Sequence, residues 1–199
     1  ESDNFECETL QMQWNTIHPP IEPIYSLTER FGYLRLYTRE EVMNEICLPS
    51  FVGRRQRHKV FLARTAMEFT PAAENEEAGI ALVQDDRFHY LMVLTQKNGK
   101  LVLQAYKTEN GIKSLLAETE VRDTKRIYLS VQGNTTDYDF YYGHNDQEMI
   151  PLIRGLKASL LSSVINNGFT GTYIGMYTSS NHHSSTNHAD FDWFNYQGE

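Results

Sequence analysis

Cysteine is nearly absent from this chain: Cys7 and Cys47 are the only two in 199 residues. Two thiols cannot form the multi-bridge framework that staples small secreted domains. A single Cys7–Cys47 bridge stays open, because sequence does not give the separation of the two residues. Each cysteine falls in a stretch compatible with a strand, where a thiol serves as a small buried hydrophobe. Basic residues are also in short supply, 18 Lys and Arg against 26 Asp and Glu, for a formal charge of −8. Beyond Arg54, Arg55 and Arg57 they form no cluster. An acidic surface repels phosphate backbones, which argues against a nucleic-acid partner. No run of 18 apolar residues occurs, so no membrane-spanning segment is expected. Helical periodicity is scarce too, confined to a turn or two at 39–46 and at 156–165. The opening Glu1-Ser2-Asp3-Asn4 has neither a start Met nor a signal peptide and reads as part of something longer.

What the chain has in quantity is period-two alternation broken by turns. Along 61–69, Phe61, Ala63, Thr65, Met67 and Phe69 line one face, with Arg64 and Glu68 on the other. Ala78–Val83 is a continuous apolar run, as expected of a strand covered on both sides. Residues 89–96 and 101–106 flank Lys97-Asn98-Gly99-Lys100, and Asn-Gly suits the positive φ angles of a tight hairpin turn. A second Asn-Gly at 110–111 precedes another strand, and further alternation marks 127–131, 137–142, 172–177 and 189–196. Ten or so short strands with almost no helix predict an all-β fold, two antiparallel sheets packed as a sandwich. No linker, repeat or change of composition interrupts it, so residues 1–199 read as one domain. The Pro-rich 18–23 reads as an arm lying across the sandwich.

Chemistry is harder to find. Sandwich glycosidases need a pair of carboxylates facing a cleft. The candidates are Glu74, Glu76 and Glu77, the pair Asp137 and Asp139, and the pair Asp190 and Asp192. The first group follows Pro71 and reads as a solvated turn; the second lies on a half-exposed strand between aromatics. Asp190 and Asp192, on the last strand, are a candidate site for a structural calcium, since a strand seam offers carboxylates and carbonyls together. No cofactor is required. The His-rich 181–188 reads as a polar hairpin loop, because three histidines on a flexible loop lack the fixed geometry of a zinc site. No Ser–His–Asp spacing, phosphate loop or Cys–His pair emerges.

The stretch Phe51-Val52-Gly53-Arg54-Arg55-Gln56-Arg57-His58 resembles the C-terminal concanavalin A-like domain of β-xylosidases in glycoside hydrolase family 43. Four further stretches agree in order and spacing. They are Leu34-Arg35-Leu36-Tyr37 with Arg39-Glu40, Phe69 and Pro71 followed by Ala78-Gly79, Gly168-Phe169-Thr170-Gly171 leading into Ile174-Gly175, and Ala189-Asp190-Phe191-Asp192-Trp193-Phe194. The match runs from about Phe5 to Tyr196. Arg57 departs from it, standing where the family pattern has Gln, and the loop at 181–188 is longer and more polar than the pattern.

The resemblance implies a concanavalin A-like, jelly-roll sandwich that is not itself catalytic. It implies a partner, a five-bladed propeller domain of the same protein that carries the catalytic acid, base and pKa-tuning residue. The parent reaction would be inverting release of xylose or a related pentose from short xylo-oligosaccharides. The sandwich would lend one loop aromatic, at the position of Phe169, to the wall of the propeller's pocket. Gly168 and Gly171 would give that loop the freedom to present the ring. Arg54 and Arg55 are candidates for an interdomain contact through bidentate pairing with carboxylates, with a solvated strand edge as the alternative. A homo-oligomeric parent stays open, as does the compartment, bacterial cytoplasm or periplasm. The alternative function on the same fold is an independent carbohydrate-binding module.

Overall fold

The computed structural model of the chain describes residues 1–122, 125–166 and 170–199. Fifteen strands run through the described residues. The first five are β1 (Ser2–Asp3), β2 (Trp14–Asn15), β3 (Tyr25–Ser26), β4 (Leu34–Tyr37) and β5 (Ser50–Arg55). The next five are β6 (Val60–Glu68), β7 (Glu77–Asp85), β8 (Phe88–Lys97), β9 (Lys100–Glu109) and β10 (Ile112–Glu120). The last five are β11 (Arg126–Asn134), β12 (Asp137–Gly143), β13 (Ile150–Lys157), β14 (Tyr173–Ser179) and β15 (His188–Gly198).

They form two antiparallel sheets. One runs β13-β12-β11-β6-β15-β4-β3, with β1 also paired to β15; the other runs β10-β9-β8-β7-β14-β5-β2. The long strands are those whose alternation the sequence displays. On β6, Phe61, Ala63, Thr65 and Met67 are sealed inward, while Leu62, Arg64 and Glu68 are only partly covered. β7 is buried along nearly its whole length, as its unbroken apolar run requires. Asn98 and Gly99 have φ of 52° and 74°, and Asn110 and Gly111 have 53° and 81°. Both pairs therefore close hairpins with the twist that matches their strands.

One apolar cluster fills the space between the sheets, with Leu34, Val52, Met67, Ile80, Met92, Phe140 and Phe191 among its members. A second, smaller one lies on the outer face of the seven-stranded sheet, where Met43 covers Phe51, Ala81, Val83, Leu91, Val93 and Tyr177. Residues 16–24 pass from β2 on one sheet to β3 on the other, so the Pro-rich segment does cross the edge of the sandwich.

Among the described residues, helix is confined to a 3-10 turn at Ala158–Leu161 and one short helix (α1, Ser163–Asn166). The turn of helix expected at 39–46 does not form. Its carbonyls are taken by the chain after β14: Arg39 O accepts from Ser180 N at 2.8 Å, Glu40 O from His182 N at 2.9 Å and Glu41 O from Ser179 Oγ at 2.8 Å. Those bonds satisfy the carbonyls that an i+4 ladder would otherwise use. Neither cysteine lies on a strand, and both thiols are free. Cys7 is exposed, while Cys47 donates to Val42 O at 3.1 Å and burial pushes its pKa up.

Candidate functional site

Phe169 and Gly168, the centre of the expected sugar-facing loop, lie outside the described residues. The structure does give the anchorage on the C-terminal side of that loop. The carboxamide of Gln84, at the end of β7, donates from Nε2 to Thr170 O at 2.5 Å and to Thr170 Oγ1 at 3.1 Å. Thr170 Oγ1 donates back to the Gln84 carbonyl at 3.3 Å. Thr172 O accepts from Gln56 N at 2.9 Å, and Thr172 Oγ1 donates to Leu161 O at 3.3 Å. From Thr170 the chain runs into β14, paired with β5 on one side and β7 on the other.

Thr170 borders two concavities. One, about 320 Å³, is walled by Met43, Phe51, Val83 and Tyr173, with Gln84 and Asp86 supplying polar groups. Gln84 Oε1 is buried there without a hydrogen-bond partner among the described residues. The other, about 660 Å³, is more polar and includes Gln56, Lys59, Tyr138, Lys157 and Ser162.

The two arginines behave differently from one another. Arg55 ends β5 exposed, donating to Tyr173 Oη at 3.0 Å with its guanidinium 5.0 Å from that ring's centroid, so it braces the strand leaving the loop. Arg54 is only 3% exposed. Alternation puts it on the inward face with Val52, where it stacks 4.6 Å from the centre of the Tyr196 ring and pairs with the Glu1 carboxylate. Its stacking on Tyr196 and its ion pair with Glu1 are both internal to this chain.

The calcium candidates are likewise engaged. Asp190 receives Arg35 Nε at 2.8 Å, Arg35 Nη2 at 2.9 Å and Arg30 Nη1 at 2.9 Å. Burial pushes its carboxyl pKa up, but the hydrogen bonds from Arg35 and Arg30 outweigh burial and hold it below the ordinary value. Asp192 is ion-paired with Arg126. Both carboxylates are therefore paired with guanidinium groups. Among the described residues no group of three His, Cys, Asp or Glu side chains could hold a metal ion.

The remaining carboxylates are structural in the same sense. Asp137 pairs with Lys157 at 2.7 Å, and that hydrogen bond keeps its carboxyl below the usual range. Asp139 accepts from Gly155 N at 2.8 Å. Glu76 and Glu77 are not in a solvated turn, since each is 5% exposed. Glu76 accepts from Ala72 N at 2.7 Å, Ser185 Oγ at 2.7 Å and Asn187 Nδ2 at 2.6 Å. Burial raises its pKa; those hydrogen bonds more than offset it and the net direction is down. Glu77 takes Lys113 at 3.1 Å. The His-rich loop is thus fastened through Ser185 and Asn187 to Glu76, while His182 and His183 point outward.

Two antiparallel sheets packed around one interior cluster, with a loop braced at one end, fit a concanavalin A-like sandwich. Within that class the chain belongs to the β-xylosidase C-terminal concanavalin A-like domain family, whose model matches residues 2–197. It is 36% identical, over 98% of its length, to a non-reducing end α-L-arabinofuranosidase of Bacteroides ovatus, and 30% identical, over 96%, to a xylosidase/arabinosidase of Butyrivibrio fibrisolvens. It spans 36% of the length of each of those relatives. Among solved structures it superposes on a family 43 protein of the Bacteroides ovatus xyloglucan locus with a TM-score of 0.93 at 35% identity, covering 100% of this chain and 39% of the other. With the xylan β-1,4-xylosidase of Bacillus halodurans the TM-score is 0.91 at 28% identity, covering 99% and 39%.

Proposed function

We infer that this chain is the non-catalytic accessory domain of a β-xylosidase-like glycoside hydrolase. It packs on a five-bladed catalytic propeller of the same protein and lends Phe169 to the wall of the pentose pocket. The observation that carries the reading is the family match along residues 2–197, together with relatives of which the chain spans only 36%. Relatives named for xylosides and for arabinofuranosides support a reading in which the substrate of the longer protein is a terminal pentoside.

The chemistry of the described residues supports it. Asp137, Asp190 and Asp192 are each tied to a cation and Glu76 to neutral donors, so none of the four is poised as a general acid or base. Gln84 and Arg55 brace the chain on either side of Gly171, as a loop that must hold one ring in a fixed place requires. A pentose presents an apolar C–H face that stacks on an aromatic ring, and a ring closing the pocket excludes water from the reacting bond.

The test is Phe169→Ala in the longer protein, assayed on an aryl β-xyloside. A fall in kcat/KM of about tenfold or more is expected, on the order of 1.4 kcal/mol of lost transition-state binding. Unchanged kinetics overturn the role of Phe169, and turnover by the 199-residue chain alone overturns the non-catalytic assignment.

A further inference from the structure

Trp193 faces the wrong way for its place in the sequence. Strict alternation along β15 would put it inward with Ala189 and Phe191. Instead a β-bulge falls between Phe191 and Trp193, with Asp192 as the extra residue: Phe191 opposes Met67 and Trp193 opposes Ala66. Bulges of this kind re-aim a side chain. Phe191 is sealed at 0% exposure and Phe194 at 1%, while Trp193 between them is turned, partly exposed, onto the outer face of the eight-stranded sheet. Thr65 Oγ1 donates to Trp193 O at 2.7 Å and pins the turned residue. Tyr128 also opposes Ala66 in register, from β11, and its ring leans toward the indole with centroids 6.3 Å apart at 45°.

Beside this aromatic pair lies a groove of about 320 Å³ lined by Ser2, Leu62, Arg64, Trp193, Asn195 and Gln197. Asn195 opposes Ser2 on one side and Arg64 on the other, and Gln197 opposes Leu62, so the six side chains gather at one place on three strands. Among the described residues, the indole N–H, the carboxamides of Asn195 and Gln197 and the Ser2 hydroxyl take no partner within the chain. An indole face flanked by unpaired amides and hydroxyls, with Arg64 as its one charged group, matches a neutral polyhydroxylated ligand.

We propose that this groove is a carbohydrate-binding surface that takes a stretch of xylan-type pentose chain, separate from the loop at Thr170. It holds polymer near the protein and performs no chemistry. The choice of a pentose chain rests on the proposed function, but the two fail separately: one is read as turnover by the longer protein, the other as binding by this chain.

The experiment is native gel electrophoresis of the 199-residue chain with soluble xylan in the gel, and with dextran as the comparison. The wild-type chain is expected to be retarded by xylan and to run freely in dextran. Trp193→Ala should weaken retention about tenfold, and the double variant Asn195→Ala/Gln197→Ala severalfold. Ile112→Ser, an exposed change on the edge of the other sheet, should bind as wild type. If circular dichroism shows Trp193→Ala unfolded, the double variant decides. Free migration of the wild-type chain in xylan, equal retardation by both polysaccharides, or wild-type retention in the folded groove variants overturns the proposal.

Discussion

Gln84 and Thr170 clasp one another at both ends: the Gln84 carboxamide holds the Thr170 carbonyl at 2.5 Å, and the Thr170 hydroxyl returns a bond to the Gln84 backbone at 3.3 Å. Gln84 belongs to the interior strand β7, so the clasp fastens the loop that precedes β14 to the most rigid part of the seven-stranded sheet.

On the proposed role of Phe169, the clasp on Thr170 predicts that Gln84 acts as a positioning residue for that loop. Replacing it by Leu keeps the volume and removes the bonds. In the longer protein, kcat/KM on an aryl xyloside should fall severalfold, while the chain loses only about 1–2 kcal/mol of stability. A purely structural role would show equal losses with and without Phe169. Positioning predicts that Gln84→Leu costs nothing further in a Phe169→Ala background, which a double-mutant cycle reads directly.

His89 supplies a pH dependence of stability. It is fully buried, with Nδ1 3.2 Å from Asp85 O and Nε2 unpartnered, opposite Thr108, whose hydroxyl is also buried and unpaired. Burial lowers its pKa to about 4. Because the folded pKa lies below the unfolded one, the unfolded chain binds the extra proton first. Stability is therefore unaffected above about pH 6.5 and declines between 6.5 and 4, by roughly 3 kcal/mol in all. Urea denaturation at pH 7 and pH 5 should show the decline, and His89→Leu should remove most of it.

Asp190 carries the opposite sign. Its folded pKa is depressed, so its contribution is complete above the ordinary carboxylate range and is lost as pH falls through the folded value. Asp190→Ala leaves Arg30 and Arg35 without their shared counter-charge and should cost about 3 kcal/mol at neutral pH. With both Asp190 and Asp192 held by arginines, the melting temperature should be the same in calcium and in a chelator. A rise with calcium would show that the cation displaces them.

Local patterns made much of the fold legible. The Asn98-Gly99 turn, the inward row from Phe61 to Met67 and the doubly covered run at 78–83 are each set by neighbours in sequence, and the structure has all three. What sequence could not show depends on distant partners. Segment 39–46 loses its helix to acceptors claimed by Ser179, Ser180 and His182. Glu76 reads as surface charge until Ser185 and Asn187 fold over it. The burial of Arg54, and its pairing with Glu1 from a segment more than fifty residues away, likewise have no local signal. The bulge at Asp192 leaves no mark in the alternation of apolar and polar residues, yet it decides which way Trp193 points. The bond from Gln84 to Thr170 has no signal in the local sequence either.

The order of strands has a consequence for how the chain acquires its shape. β15 comes after every other described strand in sequence, yet it lies inside the eight-stranded sheet with β6 on one side and β4 and β1 on the other. As the polypeptide emerges from the ribosome, β6 and β4 wait with open edges until residues 188–198 arrive to join them. Residues 188–198 act as a zip between strands made much earlier, so this sheet is slow to complete and the waiting intermediate is the state most prone to aggregate.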